Sequence, residues 1–232
     1  MICAVLFDLD GTLVQTEELK ARSYAEAARA LDPAVEESAV VAEFSHLAGQ
    51  SREAVARKLM TRFHLPGTWE RFVELRLERY DAMLDDAELL RRQMLPAAVG
   101  LEARLRKSGT RTALTTMSDP EHASRILAAL GLADAFEIVI TPADVTHGKP
   151  APDMYQAVTS CLGCAPADCV AIEDSVAGIT AAVSAGVPCI AVPTWLTRDA
   201  VHAAALVPPG MIVDDPARLE SVFETYATGK ES

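Results

Sequence analysis

The sequence has no apolar run of about eighteen residues, the order of length that a transmembrane helix needs, although half of its residues are hydrophobic. We therefore expect no membrane span. The short apolar run at the N-terminus has no basic segment before it and leads directly into an aspartate, which argues against a secretory signal. Internal repeats and low-complexity segments are also lacking. The 232 residues suffice for one sizeable domain, or for a core with a smaller inserted domain.

Positive charge is scarce. Lysine and arginine number 21 against 33 aspartates and glutamates, so the formal net charge is -12 and the isoelectric point is near 4.8. A net negative charge opposes non-specific binding to nucleic acid and to anionic membrane surfaces, and we expect neither as a partner. An anionic substrate would need a few local cations to overcome the overall field.

The cysteines give no sign of a disulfide framework. They are odd in number, and at least three stand in apolar, strand-like contexts: Cys3, Cys161, Cys164, Cys169 and Cys189. This pattern predicts buried thiols in a reducing, cytoplasmic compartment. Cys161 and Cys164 have the spacing of a redox or zinc pair, but the sequence has no second such pair and no nearby pair of histidines. We therefore expect neither role for them.

The N-terminal segment is the stretch around which the chain is organised. Residues 2–7 are almost continuously apolar, with β-branched and aromatic members, which is typical of a strand buried on both faces of a parallel sheet. Asp8 and Asp10 follow, and side chains two apart leave the same face of a strand. The carboxyl edge of an open α/β sheet is where ligands bind. Two close carboxylates suit a divalent cation, or a nucleophile beside a general acid/base.

The same residues permit two simpler interpretations. An Asp-Gly pair such as Asp10-Gly11 is often only a turn after a strand. Asp8 and Asp10 also fit the first and third positions of a calcium loop. That loop requires a glycine where Leu13 stands, and a helix rather than a strand before it, so the calcium interpretation fails.

Helical patterns cover residues 16–31, 36–47, 52–64 and 68–94, with no convincing strand among them. An all-helical insertion indicates a separate cap domain at residues 15–95; helices packed directly on the sheet are the alternative. From residue 96 strands and helices alternate, as in a parallel sheet with right-handed crossovers. Strands are expected at 111–115, 136–140, 169–172, 188–192 and 211–213. The predicted fold is α/β, with a Rossmann-like parallel-sheet core made of residues 1–14 and 96–232.

Three further polar sites follow predicted strands or precede helices. The first is the hydroxyl-rich ending Thr115-Thr116-Met117-Ser118, which can hold a phosphoryl oxygen beside a helix N-terminus, or simply cap that helix. The second is Lys149, held between Gly148 and Pro150, which suits a positive charge aimed at a phosphate; a solvated lysine is the alternative. The third is Glu173-Asp174, an acidic pair after an apolar strand, whose simplest interpretation is capping of the next helix.

In chain order these segments resemble the four motifs of the haloacid-dehalogenase (HAD) superfamily, in its phosphotransferase form. The resemblance spans about residues 2 to 215 and rests on Phe7-Asp8-Leu9-Asp10-Gly11-Thr12-Leu13-Val14, the ending at Thr116, Gly148-Lys149-Pro150-Ala151-Pro152-Asp153 and Ala171-Ile172-Glu173-Asp174-Ser175. The helical insertion is similar to the family's four-helix cap. The subfamily resembled contains β-phosphoglucomutase, phosphoglycolate phosphatase and small sugar-phosphate phosphatases.

The resemblance implies a phosphatase of a small phosphorylated metabolite. Asp8 would attack phosphorus to form an aspartyl phosphate, and Asp10 would serve as general acid and base. Thr116, with Thr115 as the less favoured choice, would bind the phosphoryl group. Lys149 would neutralise that group and the nucleophile. A helical cap would close over the substrate, and we expect a monomer or a homodimer.

The cofactor implied by the resemblance is Mg²⁺. Its ligands would be Asp8, Asp10 through its backbone carbonyl, and Asp174, with Glu173 as a supporting or second ligand. A hard cation bound by a few carboxylates, a carbonyl, water and substrate phosphate matches the preference of Mg²⁺ for oxygen.

The alternative within the family is a phosphomutase, which returns phosphate to a sugar. Gly49-Gln50-Ser51-Arg52 resembles a mutase segment whose arginine grips the non-transferring phosphate. Against this, Lys20 stands where those mutases have histidine, Ala48 where they have lysine, and Gln15 replaces a common aspartate. Arg52 and Lys20 are thus the predicted substrate contacts of the cap. A haloacid dehalogenase typically lacks the second aspartate, and an acidic binding protein would not need the ordered set of motifs.

Overall fold

The computed structural model describes residues 2–47 and 50–229 and divides the chain into two compact units. The first unit contains the residues up to Val14 and those from Arg91 onwards, and the second contains Gln15–Leu90. Residues 91–95, which the sequence analysis assigned to the inserted domain, belong to the first unit. Among the described residues, no helix combines the length and hydropathy needed to cross a membrane.

The first unit is built on a five-stranded parallel sheet, which confirms the predicted α/β fold. In the described part of the chain the strand order is β3-β2-β1-β4-β5. The strands are β1 (Ala4–Phe7), β2 (Arg111–Thr115), β3 (Ile138–Ile140), β4 (Cys169–Glu173) and β5 (Cys189–Ala191). All four residues of β1 are buried because the strand lies at the centre of the sheet, with layers on both faces.

In the described chain the helices up to Leu84 lie in the second unit, and the later helices connect and flank the strands. In chain order they are α1 (Thr16–Leu31), α2 (Glu37–Ser45), α3 (Arg52–Phe63), α4 (Trp69–Leu84), α5 (Ala87–Arg92), α6 (Pro96–Lys107), α7 (Pro120–Leu130), α8 (Asp153–Leu162), α9 (Val176–Ser184), α10 (Arg198–Ala204) and α11 (Leu219–Gly229).

Each unit has its own apolar core. In the first unit Leu6 of β1 belongs to a buried cluster with Met154 and Val158 of α8. In the second unit the ring of Tyr24 lies 5.4 Å from that of Phe44 and 5.7 Å from that of Phe72, between centroids. The buried aromatic cluster joins α1, α2 and α4 and accounts for the compactness of the second unit.

Two sequence predictions of secondary structure are wrong. The helix expected over 68–94 is two helices, because the Asp86 carboxylate caps α5 by accepting hydrogen bonds from the backbone N–H groups of Glu88 and Leu89. The strand expected at 211–213 is reduced to a single bridge between Ala191 and Ile212. The backbone around Met211 forms a 3₁₀ turn instead.

The cysteine prediction also needs correction. Cys3 and Cys164 form a disulfide between positions that are 161 residues apart in sequence. Cys169 and Cys189 are buried free thiols, as predicted, whereas Cys161 is an exposed free thiol.

Candidate active site

The register of the sheet brings the polar ends of three strands into one row. Phe7 of β1 lies opposite Leu114 of β2 and Ile172 of β4. The next residue along each strand is Asp8, Thr115 or Glu173. Because parallel strands end at the same edge, these residues meet at the carboxyl edge of the sheet although they are far apart in sequence.

Lys149 lies at the centre of this row. Its Nζ is 2.6 Å from Asp8 Oδ1, 2.6 Å from Glu173 Oε1 and 2.8 Å from the carbonyl oxygen of Thr115. The side chain of Lys149 is 3% exposed, and those of Asp8 and Glu173 are 8% and 0% exposed. The ammonium therefore holds two buried carboxylates together with little competition from water.

Burial also controls the protonation of these groups. Burial raises the pKa of Asp8 to about 8, with the negative charges of Glu173 and Asp10 adding to the rise and Lys149 opposing it. For Lys149, burial lowers the pKa, but the carboxylates of Asp8 and Glu173 more than compensate and hold it above its ordinary value. Lys149 is thus a permanent cation, and Asp8 needs more positive charge than Lys149 alone supplies.

Asp174 completes an acidic cluster whose chemistry fits a divalent metal ion. Asp8, Glu173 and Asp174 each offer a carboxylate oxygen, and these oxygens all lie within 4.8 Å of one another. Glu173 Oε2 is buried and has no hydrogen-bond partner among the described residues. Three buried carboxylates facing one ammonium carry excess negative charge, and oxygen donors are what Mg²⁺ prefers. The residues present therefore fit the predicted cofactor.

Two glycines make room for the cluster. Gly11 has φ of +88°, and a Cβ at that position would collide with the carboxylate of Asp174. A Cβ at Gly178, in the first turn of α9, would collide with the carboxylate of Glu173. Both carboxylates thus occupy space that only glycine leaves open.

We expect Gly178→Ala to destabilise the protein by roughly 1–3 kcal/mol, the usual cost of overpacking. Glu173 cannot simply move aside, because its Oε1 is held by Lys149. The matched control is Gly100→Ala on α6, where no atom lies within 4 Å of the added Cβ. That change should stabilise the protein by about 0.5–1 kcal/mol through helix propensity. Urea unfolding measures both, and equal stabilisation by the two variants would contradict the crowding at Gly178.

Asp10 lies beside the hydroxyl-rich end of β2. Its Oδ2 accepts hydrogen bonds from Thr116 Oγ1 at 3.2 Å and from Ser118 Oγ at 2.7 Å. The two hydroxyls hold the carboxylate in one orientation, apart from the cluster formed by Asp8, Glu173 and Asp174. Thr116 is therefore near the first motif, as a phosphate-binding residue must be, and its role stays a prediction.

The predicted cap residues Lys20 and Arg52 both lie in the second unit. Lys20 Nζ is 2.7 Å from Glu17 Oε1 on the same helix, and Arg52 begins α3 after the cap residue Ser51. Burial raises the pKa of the Tyr24 hydroxyl, and the charges of Arg52 and Lys20 are among those that oppose the shift. The structure thus brings the two predicted cations near one side chain. Ala48 and Gly49, used in the mutase comparison, lie outside the described residues.

Arg76 is a functional candidate that sequence reasoning missed. It lies on α4, is 4% exposed, and its guanidinium carbon is 4.5 Å from the ring centroid of Tyr80 and 5.2 Å from that of Tyr24. Burial lowers its pKa, and Nε has no hydrogen-bond partner in the described chain. The only available signal was the helical spacing of Arg76 and Tyr80, which is too common to single them out.

Ser118 and Tyr155 were also missed as site residues. Ser118 was noticed only as part of a polar ending, and its contact with Asp10 depends on the strand pairing. Tyr155 follows the Gly148–Asp153 segment, and its hydroxyl donates a hydrogen bond of 2.8 Å to Glu173 Oε1. A tyrosine on the buried face of a helix is usually a core residue, so nothing in the sequence distinguished it.

The protein carries a lysine and several carboxylates at the carboxyl edge of a parallel α/β sheet. This arrangement is typical of an enzyme. The sequence matches the haloacid dehalogenase-like hydrolase family over residues 2–186, and the chain belongs to that family.

Two similar proteins and one solved structure indicate which activities occur in this family. Hexitol phosphatase A of Escherichia coli is 33% identical over 187 residues, 81% of each chain. The β-phosphoglucomutase of Bacillus subtilis is 28% identical over 189 residues, 79% of this chain and 80% of that protein. A solved structure of CbbY from Rhodobacter sphaeroides in complex with xylulose-(1,5)bisphosphate is 28% identical, with a TM-score of 0.73 over 94% of this chain and 96% of that one. The protein is accordingly a member of the HAD-like hydrolase family, and its relatives include both a phosphatase and a phosphomutase.

Proposed function

We propose that the protein is a Mg²⁺-dependent phosphatase of a small phosphorylated metabolite, a sugar phosphate or a phosphoglycolate-like compound. The observation that carries the proposal is the contact of 2.6 Å between Lys149 Nζ and Asp8 Oδ1 at the carboxyl edge of the sheet. A buried carboxylate held by a buried ammonium is a fixed nucleophile beside a fixed positive charge. The similarity to hexitol phosphatase A and to CbbY, a protein seen with xylulose-(1,5)bisphosphate, supports a sugar phosphate as substrate.

In this proposal Asp8, Asp10 and Lys149 divide the steps of the reaction among them. Asp8 attacks phosphorus and holds the phosphoryl group as an aspartyl phosphate until water removes it. Asp10, oriented by Thr116 and Ser118, protonates the leaving oxygen and later deprotonates the attacking water. Lys149 neutralises the charge on the phosphoryl oxygens.

Asp8, Glu173 and Asp174 would hold the metal ion, together with the backbone carbonyl of Asp10. Bound Mg²⁺ would supply the positive charge that lowers the pKa of Asp8 and neutralises a phosphoryl oxygen. Without that charge, burial keeps the pKa of Asp8 raised, which favours the protonated carboxyl, a poor nucleophile.

Turnover of p-nitrophenyl phosphate, measured with purified protein in different metals, tests the proposal directly. We expect Mg²⁺ to activate, EDTA to abolish activity, and Ca²⁺ to inhibit, because its larger and looser shell would take both carboxylate oxygens of Asp8 and leave none for in-line attack. Full activity in excess EDTA would contradict the proposal. A panel of sugar phosphates and phosphoglycolate then identifies the substrate.

The second unit, which we propose acts as the substrate-selecting cap, supplies cations for an anionic group remote from the transferred phosphoryl. Arg76 supports this because a buried guanidinium whose Nε has no partner in the described chain is costly unless an anion arrives to pair with it. Arg52 lies near enough for its positive charge to lower the pKa of Arg76 further.

We expect Arg52→Ala to lower kcat/KM for the natural substrate by roughly ten- to a hundredfold, the worth of about 1.5–3 kcal/mol for a charge-assisted contact. Turnover of p-nitrophenyl phosphate, which lacks a second anionic group, should change little. Arg57→Ala is the matched control, since Arg57 is an exposed arginine on the same helix and pairs with Glu53. Equal effects of Arg52→Ala on both substrates would show that Arg52 is a solvent-exposed residue that does not contact the substrate.

A phosphomutase is the second candidate, favoured by the position of Arg52 and by the similarity to β-phosphoglucomutase. Product analysis separates the two reactions. A phosphatase releases free phosphate in proportion to substrate consumed, whereas a mutase converts one sugar phosphate into another and releases little.

A further inference from the structure

The ammonium of Lys149 has three protons, and three acceptors already surround it. They are Asp8 Oδ1 and Glu173 Oε1, each at 2.6 Å, and the carbonyl oxygen of Thr115 at 2.8 Å. A phosphoryl oxygen that binds Lys149 must therefore replace one of these acceptors. Binding of phosphate to Lys149 therefore requires the loss of one of these three contacts.

Glu173 is the acceptor for which the structure provides another donor. The hydroxyl of Tyr155 lies 2.8 Å from the same oxygen, Glu173 Oε1, that Lys149 contacts. Tyr155 is 0% exposed, and its ring centroid is 5.4 Å from Lys149 Nζ. If Lys149 turns away, Oε1 keeps a hydrogen bond. Without Tyr155 the same movement would leave a buried carboxylate oxygen with no donor, which is strongly unfavourable.

We propose that Tyr155 is a positioning residue that acts through Glu173, holding Oε1 so that Lys149 can turn one proton towards the phosphoryl oxygen of the substrate. This inference rests on the proposed phosphatase function. It adds a task for a residue outside the four motifs. Asp8 keeps its own contact with Lys149 throughout, so the nucleophile is not released when phosphate binds.

The alternative is that Tyr155 only packs. Its ring belongs to the apolar cluster of the first unit with Met154 and Val158, and phenylalanine would fill the same space. The two interpretations differ in what the hydroxyl does. Packing needs no hydroxyl, whereas the proposed role depends on it and on Glu173.

The test measures the affinity for inorganic phosphate in the presence of Mg²⁺ by calorimetry, with kcat and KM measured alongside. Tyr155→Phe should weaken phosphate binding about tenfold, since a hydrogen bond to a charged group is lost whenever Lys149 turns. KM should rise and the melting temperature should match that of the control. Thr112→Val is that control, because it also removes one buried hydroxyl, which donates to the carbonyl of Ala135 away from the cluster.

A second pair of variants tests whether the effect passes through Glu173. In a Glu173→Gln background, adding Tyr155→Phe should change phosphate affinity by less than about twofold, because interacting residues are not additive. A full, additive effect in that background overturns the proposal. Phosphate affinity of Tyr155→Phe within twofold of the wild type overturns it too, as does a Tyr155→Phe protein that fails to fold. A wild-type protein that binds no phosphate overturns the proposed function itself, and this inference with it.

Discussion

Asp8→Asn should reduce phosphatase turnover by at least about a thousandfold while leaving the fold intact, because the amide keeps the shape of the carboxylate but is not a nucleophile. The amide oxygen can still accept the hydrogen bond from Lys149. The substitution also removes a buried group whose pKa is raised to about 8 by its surroundings. In the absence of divalent metal, the melting temperature of the variant should therefore be no lower than that of the wild type.

Turnover, circular dichroism and thermal unfolding check this expectation on one preparation. Asp134→Asn is the matched control, since Asp134 is exposed and lies away from the cluster. The control should retain wild-type turnover. Substantial phosphatase activity in a pure Asp8→Asn preparation would contradict the proposal that Asp8 is the nucleophile.

Lys149→Met should have the second large effect, this time on stability as well as on turnover. The change leaves the buried carboxylates of Asp8 and Glu173 without their shared cation. Breaking a buried ion pair from one side costs roughly 3–5 kcal/mol in unfolding free energy. Turnover should fall by about a hundred- to a thousandfold, as when a preorganised donor to a developing oxyanion is removed.

Mg²⁺ should change the stability of the Lys149→Met protein. If Asp8, Glu173 and Asp174 bind Mg²⁺, the ion should restore part of the lost stability by binding the folded state. Lys107→Met, at the exposed end of α6, should cost only a few tenths of a kcal/mol. Urea unfolding gives the free energy of unfolding of both variants, each with and without Mg²⁺. A Lys149→Met protein as stable as the Lys107→Met control would show that the carboxylates do not depend on Lys149.

The sequence was sufficient for those parts of the structure that follow from local pattern. The apolar run of β1 predicted a central buried strand, and the alternation after residue 96 predicted the parallel sheet. The same alternation placed Asp8, Thr115 and Glu173 at strand ends, whereas the position of Lys149 beside Asp8 was implied only by the family resemblance. The break between α4 and α5 was harder to predict. Its apolar spacing continues through Asp86, and only the capping hydrogen bonds end one helix and begin the next.

Contacts made between distant elements could not be predicted. The disulfide joins Cys3, just before β1, to Cys164, just after α8, and spacing alone had suggested Cys161 as the partner to consider. The hydroxyl of Tyr155 reaches Glu173 only because α8 packs against β2 and β3 of the same sheet. Arg76 likewise becomes notable through its burial between two tyrosine rings, one of them from another helix. In each case the information lies in packing geometry, which a single sequence does not display.

The strand order has a consequence for how the chain assembles during synthesis. Both neighbours of β1 are encoded after the second unit: β2 begins at Arg111 and β4 at Cys169. Strand β1 therefore leaves the ribosome before either partner, whereas the helices between Gln15 and Leu90 have an apolar cluster of their own. Those helices can become compact first, while β1 still lacks both of its neighbouring strands. Asp8 is thus made well before Lys149, the cation that contacts it in the folded protein.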